Sequence, residues 1–76
     1  MSLNLKVFNG ISLASMAAKG CELAKCLNDY PKTIAYKAEA EYFLNNLMQL
    51  KNTKSLQIPD KHIQIIDELY EIIREL

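Results

Sequence analysis

Apolar residues recur along this chain with a helical period in three separate segments. Between residues 11 and 28 they fall at spacings of three and four, as one helix face requires, at Leu13, Met16, Gly20, Leu23 and Leu27. Between 31 and 51 the main apolar face is Tyr36, Ala40, Phe43, Leu44, Leu47 and Leu50. Between 59 and 76 it is Ile63, Ile65, Ile66, Leu69, Tyr70, Ile72, Ile73 and Leu76. The pattern predicts helices over about 11–28, 31–51 and 59–76.

Helix-breaking residues separate these segments. The run Asn28–Pro31 ends the first helix, and Pro31 and Pro59 suit the first turn of a new helix, where a missing N–H is no loss. The linker 52–58 is polar except for Leu56 and Ile58, which we expect to close the end of the core.

The N-terminal segment has a different pattern. Residues 3–8 alternate apolar and polar side chains, which is typical of a strand, but no second strand-like run exists to pair with them. Asn9-Gly10 is a turn signal. We therefore predict that residues 1–9 form an extended or loosely ordered arm, with the first turn of a helix as the alternative.

These elements predict an all-α fold. Helices of similar length with short connections favour a small antiparallel three-helix bundle in an up-down-up arrangement, with residues 1–76 as a single domain. A domain of this size buries only about 60% of the surface of its unfolded chain, so it is marginally stable alone. Dimerisation is one way to complete the core. Gly20 on an apolar stripe predicts a close approach between helices, with a hinge as the alternative.

Composition limits the location and the class of protein. Half of the residues are hydrophobic and 24% are charged, as in an ordinary globular chain. We expect no membrane span, because no apolar stretch approaches 18 residues, and no signal peptide. Cys21 and Cys26 lie about 140° apart on a helix, so they cannot bridge. We interpret both as buried thiols in a reducing compartment, which predicts a cytoplasmic protein.

The sequence offers no pattern that favours catalysis or metal binding. His62 has no carboxylate three or four positions later, and we expect it to face solvent. A Cys21–His62 nucleophile pair would need contact in space and a cleft. No glycine-rich phosphate loop is present. We expect no catalytic residue, no metal, no cofactor and no small-molecule substrate.

Charge makes nucleic acid an unlikely partner but leaves it as the alternative. Nine basic residues balance nine acidic ones, whereas proteins that bind phosphate backbones are typically basic. A basic stripe on one surface would favour a small nucleic-acid-binding regulator. Its candidate members are Lys19, Lys25, Lys32 and Lys37.

The third helix is the most informative segment for partners. Its apolar stripe is wider than a helix needs to contact its two neighbours in a three-helix bundle. The extra width predicts an interface at Ile65, Leu69, Ile72 and Leu76. Its polar side is acidic, at Asp67, Glu68, Glu71 and Glu75. This face is either solvated or a docking surface for a basic partner, including the lysines of a second copy.

The first two helices loosely resemble a tetratricopeptide hairpin, but the tryptophan, the spacing and the repetition of that family are absent. The sequence therefore indicates no family. It favours a non-enzymatic helical protein that acts by self-association or by binding another protein, as a regulator or adaptor.

Overall fold

The computed structural model describes residues 3–53 and 58–76, with side chains from residue 5 onward, and within these ranges the chain is helical with no strand. The helices are α1 (Leu3–Cys26), α2 (Tyr30–Lys51) and α3 (Asp60–Arg74). The predicted all-α class and the three helices are confirmed. Of the two linker residues expected to close the core, Ile58 packs against it, and Leu56 lies outside the described residues.

Helix α1 begins at Leu3, so the extended arm predicted for residues 1–9 is wrong from Leu3 onward. Val7 is fully buried and belongs to the core, which a helical segment allows and a detached arm would not. Gly10 lies inside α1 and makes no turn. A Cβ at this position would stand 2.7 Å from Cδ2 of Leu47. The glycine permits close packing of α2 on α1, and this packing overrides the local turn signal.

The connection between α1 and α2 is short and capped. Asn28 takes a left-handed backbone conformation with φ of 55°, which asparagine tolerates better than most residues. Asp29 then caps α2, since its Oδ1 accepts a hydrogen bond from the backbone N–H of Lys32 at 3.2 Å. Pro31 lies in the first turn, as predicted. At the other boundary Pro59 directly precedes α3, whose first residue is Asp60.

Helices α1 and α2 pack antiparallel over most of their length. Gly10 meets Leu47, while further along α1 Gly20 meets Tyr36, so residue numbers rise on one helix as they fall on the other. The close approach predicted at Gly20 is confirmed, because a Cβ there would stand 2.7 Å from Cε1 of Tyr36.

Helix α3 packs on one side of this hairpin. Lys51 at the end of α2 donates to Oδ1 of Asp67 at 2.7 Å, and Lys25 near the end of α1 donates to the carbonyl oxygen of Leu76. The carboxyl ends of α1 and α3 therefore lie together, which gives the predicted up-down-up order. The molecule is elongated and flat, measuring 42 × 22 × 15 Å.

The core combines mostly small residues of α1 with mostly larger residues of α2 and α3. Its buried members in the main cluster are Val7, Ala14, Ala17, Ala18, Ala40, Leu44, Leu47, Ile66, Leu69 and Ile73. The stripe predicted as the main face of α1 is not in it, because Leu13, Met16 and Leu23 are exposed. Helix α1 is apolar on two sides, and the side with small residues is the one that the other helices can approach closely.

Candidate protein-interaction surface

A long groove runs between α1 and α2, formed by three adjoining concavities. One part lies around Lys6, Gly10, Leu13, Tyr42, Phe43, Leu47 and Leu50, and next to it is a larger concavity of about 440 Å³. These two share Leu13 and Phe43, and the second shares Gly20 and Tyr36 with a third that reaches Leu27 and Lys32. We call this continuous surface the α1/α2 groove.

The α1/α2 groove lies on the side of the hairpin away from α3. Lys25 donates a hydrogen bond to the last residue of the chain, next to the end of α3. The buried Ala18 lies seven residues, or about two helical turns, before Lys25, so both lie on the same face of α1. Leu13 and Gly20 lie more than about 100° from that face around the helix axis. Because α3 covers one side of the hairpin and not the other, the groove is open to solvent.

Large apolar side chains of α1 and its C-terminal end line this groove and remain exposed. Met16 is 70% exposed, Leu23 62% and Leu27 70%. Together with Leu13 they make up four of the five residues whose spacing defines the apolar stripe in the sequence. On α2, Tyr36, Phe43 and Leu50 are half-buried along the groove, and Tyr42 is exposed at its edge. The stripe is therefore a surface feature of the single chain.

Charged residues in the groove are few. Lys6 lies at one end and Lys32 at the other, with Glu39 between them. Lys32 Nζ is 3.9 Å from Oδ2 of Asp29, on the rim. An apolar floor with a charged rim is the anatomy of a protein interface.

The predicted interface on α3 divides into two pairs. Ile65 and Ile72 are exposed, at 37% and 47%. Leu69 is buried in the core of this chain, and Leu76 is half-buried against the same core. Only Ile65 and Ile72 are accessible to a partner in the single chain, because Leu69 and Leu76 close the bundle itself.

The acidic side of α3 also divides. The side chain of Asp67 accepts a hydrogen bond from Lys51 of the same chain, so this carboxylate serves to hold α3 against α2. Glu68, Glu71 and Glu75 are exposed. Of the four predicted acidic residues, Asp67 is thus paired within the chain, although its side chain is still 56% exposed.

The predicted environment is correct for Cys21 and wrong for Cys26 and His62. Cys21 is buried, as expected, and its Sγ lies 3.5 Å from the carbonyl oxygen of Thr33. Cys26 is exposed, so its predicted burial is wrong: residues five apart on a helix cannot both face one core. His62 is half-buried rather than solvent-facing, and its buried Nδ1 has no hydrogen-bond partner within the described residues.

Two of the four candidate lysines have different surroundings. Lys25 donates a hydrogen bond to the carbonyl oxygen of Leu76 on the α3 side, whereas Lys32 lines the α1/α2 groove.

Comparisons with protein-family models, with curated proteins and with solved structures find no match to this chain. Within residues 3–53 and 58–76, no group of three or more potential metal ligands comes together. No helix in the same ranges is long and apolar enough to cross a membrane.

Proposed function

We propose that this protein is a non-enzymatic helical protein that acts through protein–protein contact, and specifically by associating with itself. The observation that carries the proposal is its accessible surface of 5467 Å². A compact monomer of 8.7 kDa exposes about 4,700 Å² by the usual scaling of area with mass. The chain therefore exposes roughly 700 Å² more than a compact monomer would.

The chemistry of the exposed surface supports the same proposal. The exposed large apolar residues are not scattered singly, since four of them follow one groove: Leu13, Met16, Leu23 and Leu27. Contiguous apolar surface of this kind marks interaction sites in soluble proteins. Burying a Leu or Met side chain contributes about 1.5–3 kcal/mol, which is a large fraction of the stability of a small domain.

A catalytic role has less support. The α1/α2 groove is lined mainly by hydrocarbon and aromatic side chains, with Lys6, Asp29, Lys32 and Glu39 as its charges and Asn9 and Asn46 as uncharged polar residues. We also propose a reducing, cytoplasmic location, which the free thiols of Cys21 and Cys26 favour. The formal net charge of zero weakens the nucleic-acid alternative.

Sedimentation velocity on the wild-type chain between about 1 and 100 μM tests the proposal, since micromolar affinity corresponds to about −8 kcal/mol of binding free energy. We expect a species of twice the 8.7 kDa chain mass, and a melting temperature that rises with protein concentration. A monomer across the whole range with a constant melting temperature contradicts it. Retention on heparin above physiological salt would favour the nucleic-acid alternative instead.

A further inference from the structure

We propose that α3 undocks as a unit while the hairpin of α1 and α2 stays folded. The open conformation would uncover the inner face of the hairpin, where Ala14, Ala18 and Leu44 are buried in the core that they share with α3. This inference goes beyond the proposed function, because it concerns a change of conformation within one chain and applies to a monomer as well as to a dimer.

The hairpin has stabilising contacts in which α3 takes no part. The ring of Tyr36 packs on Gly20 in the α1/α2 groove, on the side away from α3. Cys21 is fully buried but lies outside the main core cluster, and its Sγ is 3.5 Å from the carbonyl oxygen of Thr33 on α2. Asp29 caps α2 at the connection between the two helices. All of these contacts remain possible when α3 is absent from the core.

The docking of α3 depends on one row of side chains. Helices α1 and α2 contact each other far more extensively than either contacts α3. The buried residues of α3 are Ile66, Leu69 and Ile73, which lie at spacings of three and four along a single face. Asp67 adds an ion pair to Lys51, but its side chain is 56% exposed, and ion pairs at the surface contribute little to stability.

Helix α3 also has little to keep it helical once it leaves the core. It holds 15 residues, and isolated helices of this length are marginal in water. Among the described residues no side chain caps its first turn in the way that Asp29 caps α2, since the boundary residue is Pro59. Asp67 and Glu71 are like charges four residues apart, which destabilises a helix further. Undocking and unfolding of α3 are therefore one event.

Native-state hydrogen exchange of the backbone amides in the full chain tests this inference. We expect the most protected amides of α3 to exchange at least about tenfold faster than the most protected amides of α1 and α2, after correction for intrinsic rates. Exchange in α3 should also depend less steeply on low concentrations of urea, because undocking exposes less surface than unfolding of the whole chain.

Two substitutions of similar cost distinguish undocking from global unfolding. Asp29→Ala removes a contact that the open conformation keeps, so it should speed exchange in the middle of α1 and α2 by about fivefold and leave α3 within about twofold of the wild type. Ile73→Val weakens a contact that is lost on undocking, so it should speed exchange in α1, α2 and α3 alike, by about fivefold. Circular dichroism checks that both variants stay helical.

Either of two results would overturn the inference. One is equal protection of α3 and of the other two helices in the wild-type chain. The other is an Asp29→Ala chain in which the amides of α3 speed up as much as those of α1 and α2, since α3 would then open only when the whole chain unfolds. Both results leave the proposed self-association untouched, because sedimentation velocity measures it separately.

Discussion

The aromatic ring of Tyr36 lies directly against Gly20. A Cβ added at residue 20 would stand 2.7 Å from Cε1, 2.8 Å from Cδ1 and 2.9 Å from Cζ of that ring. Distances under 3 Å between carbon atoms are far inside van der Waals contact, so glycine is what allows α2 to approach α1 at this level. The same pair lies in the α1/α2 groove, where it shapes the middle of the floor.

Gly20→Ala tests this close approach. The new methyl group must displace the Tyr36 ring, which destabilises the fold by about 1–3 kcal/mol. Alanine has the better helix propensity, which stabilises it by about 1 kcal/mol. We expect a net loss of about 1 kcal/mol in the free energy of unfolding, measured by urea denaturation at one protein concentration.

Lys19→Ala is the control for Gly20→Ala, because Lys19 is exposed on the neighbouring position of the same helix. We expect it to change stability by less than about 0.5 kcal/mol. A double-mutant cycle with Tyr36→Ala should show that the penalty at residue 20 disappears when the ring is absent. A Gly20→Ala chain more stable than the wild type would contradict the close contact.

The sequence predicted the helices better than it predicted which faces pack together. Periodicity located α2 and α3 and identified the buried Ala40, Leu44 and Leu47. On α1 it could not choose a side, since the stripe with Leu13, Met16 and Leu23 and the row of alanines beside it are both apolar. Which side of α1 is buried depends on how closely the other helices can approach it. Small residues allow the closest approach, and the alanines are the residues that are buried.

The N-terminal segment shows the same limit. Alternation over residues 3–8 and the pair Asn9-Gly10 are genuine local signals for a strand and a turn. Burial of Val7 and the contact between Gly10 and Leu47 outweigh them, and both depend on tertiary packing. The open groove could not be predicted from the sequence for the same reason, although Leu13, Met16, Leu23 and Leu27 all belong to the apolar stripe of the first predicted helix.

Asp29→Ala should weaken the start of α2. The Asp29 side chain satisfies the backbone N–H of Lys32, one of the donors that a helix leaves unpaired at its first turn. We expect a loss of about 1 kcal/mol in unfolding free energy. Asp29→Asn keeps an accepting oxygen and should cost about half as much or less. Equal effects of the two substitutions would show that charge, and not the cap, is what matters here.

The two thiols should react at very different rates. Cys26 is exposed and Cys21 is buried beside Thr33, so a thiol reagent should modify one equivalent rapidly in the native protein and the second only on unfolding. In the Cys26→Ser variant the rapid phase should vanish. A rapid phase that persists in that variant would mean that Cys21 is accessible, contrary to its position in the core.

The isoleucines of α3 should divide into two classes of different energetic weight. Ile66 and Ile73 are buried in the core, whereas Ile65 and Ile72, one position earlier in each case, are on the exposed edge of the same stripe. Truncating a buried isoleucine removes its burial energy and leaves a cavity, which together cost about 2–5 kcal/mol.

We therefore expect Ile66→Ala and Ile73→Ala each to lower the unfolding free energy by about 2–4 kcal/mol. Ile65→Ala and Ile72→Ala should each cost less than about 1 kcal/mol, because more than a third of each side chain already contacts water. Chemical denaturation of the four single variants at one protein concentration provides the measurement. Equal costs at all four positions would mean that a partner covers Ile65 and Ile72. Unequal costs of the expected size would mean that α3 serves mainly as the internal wall of the bundle.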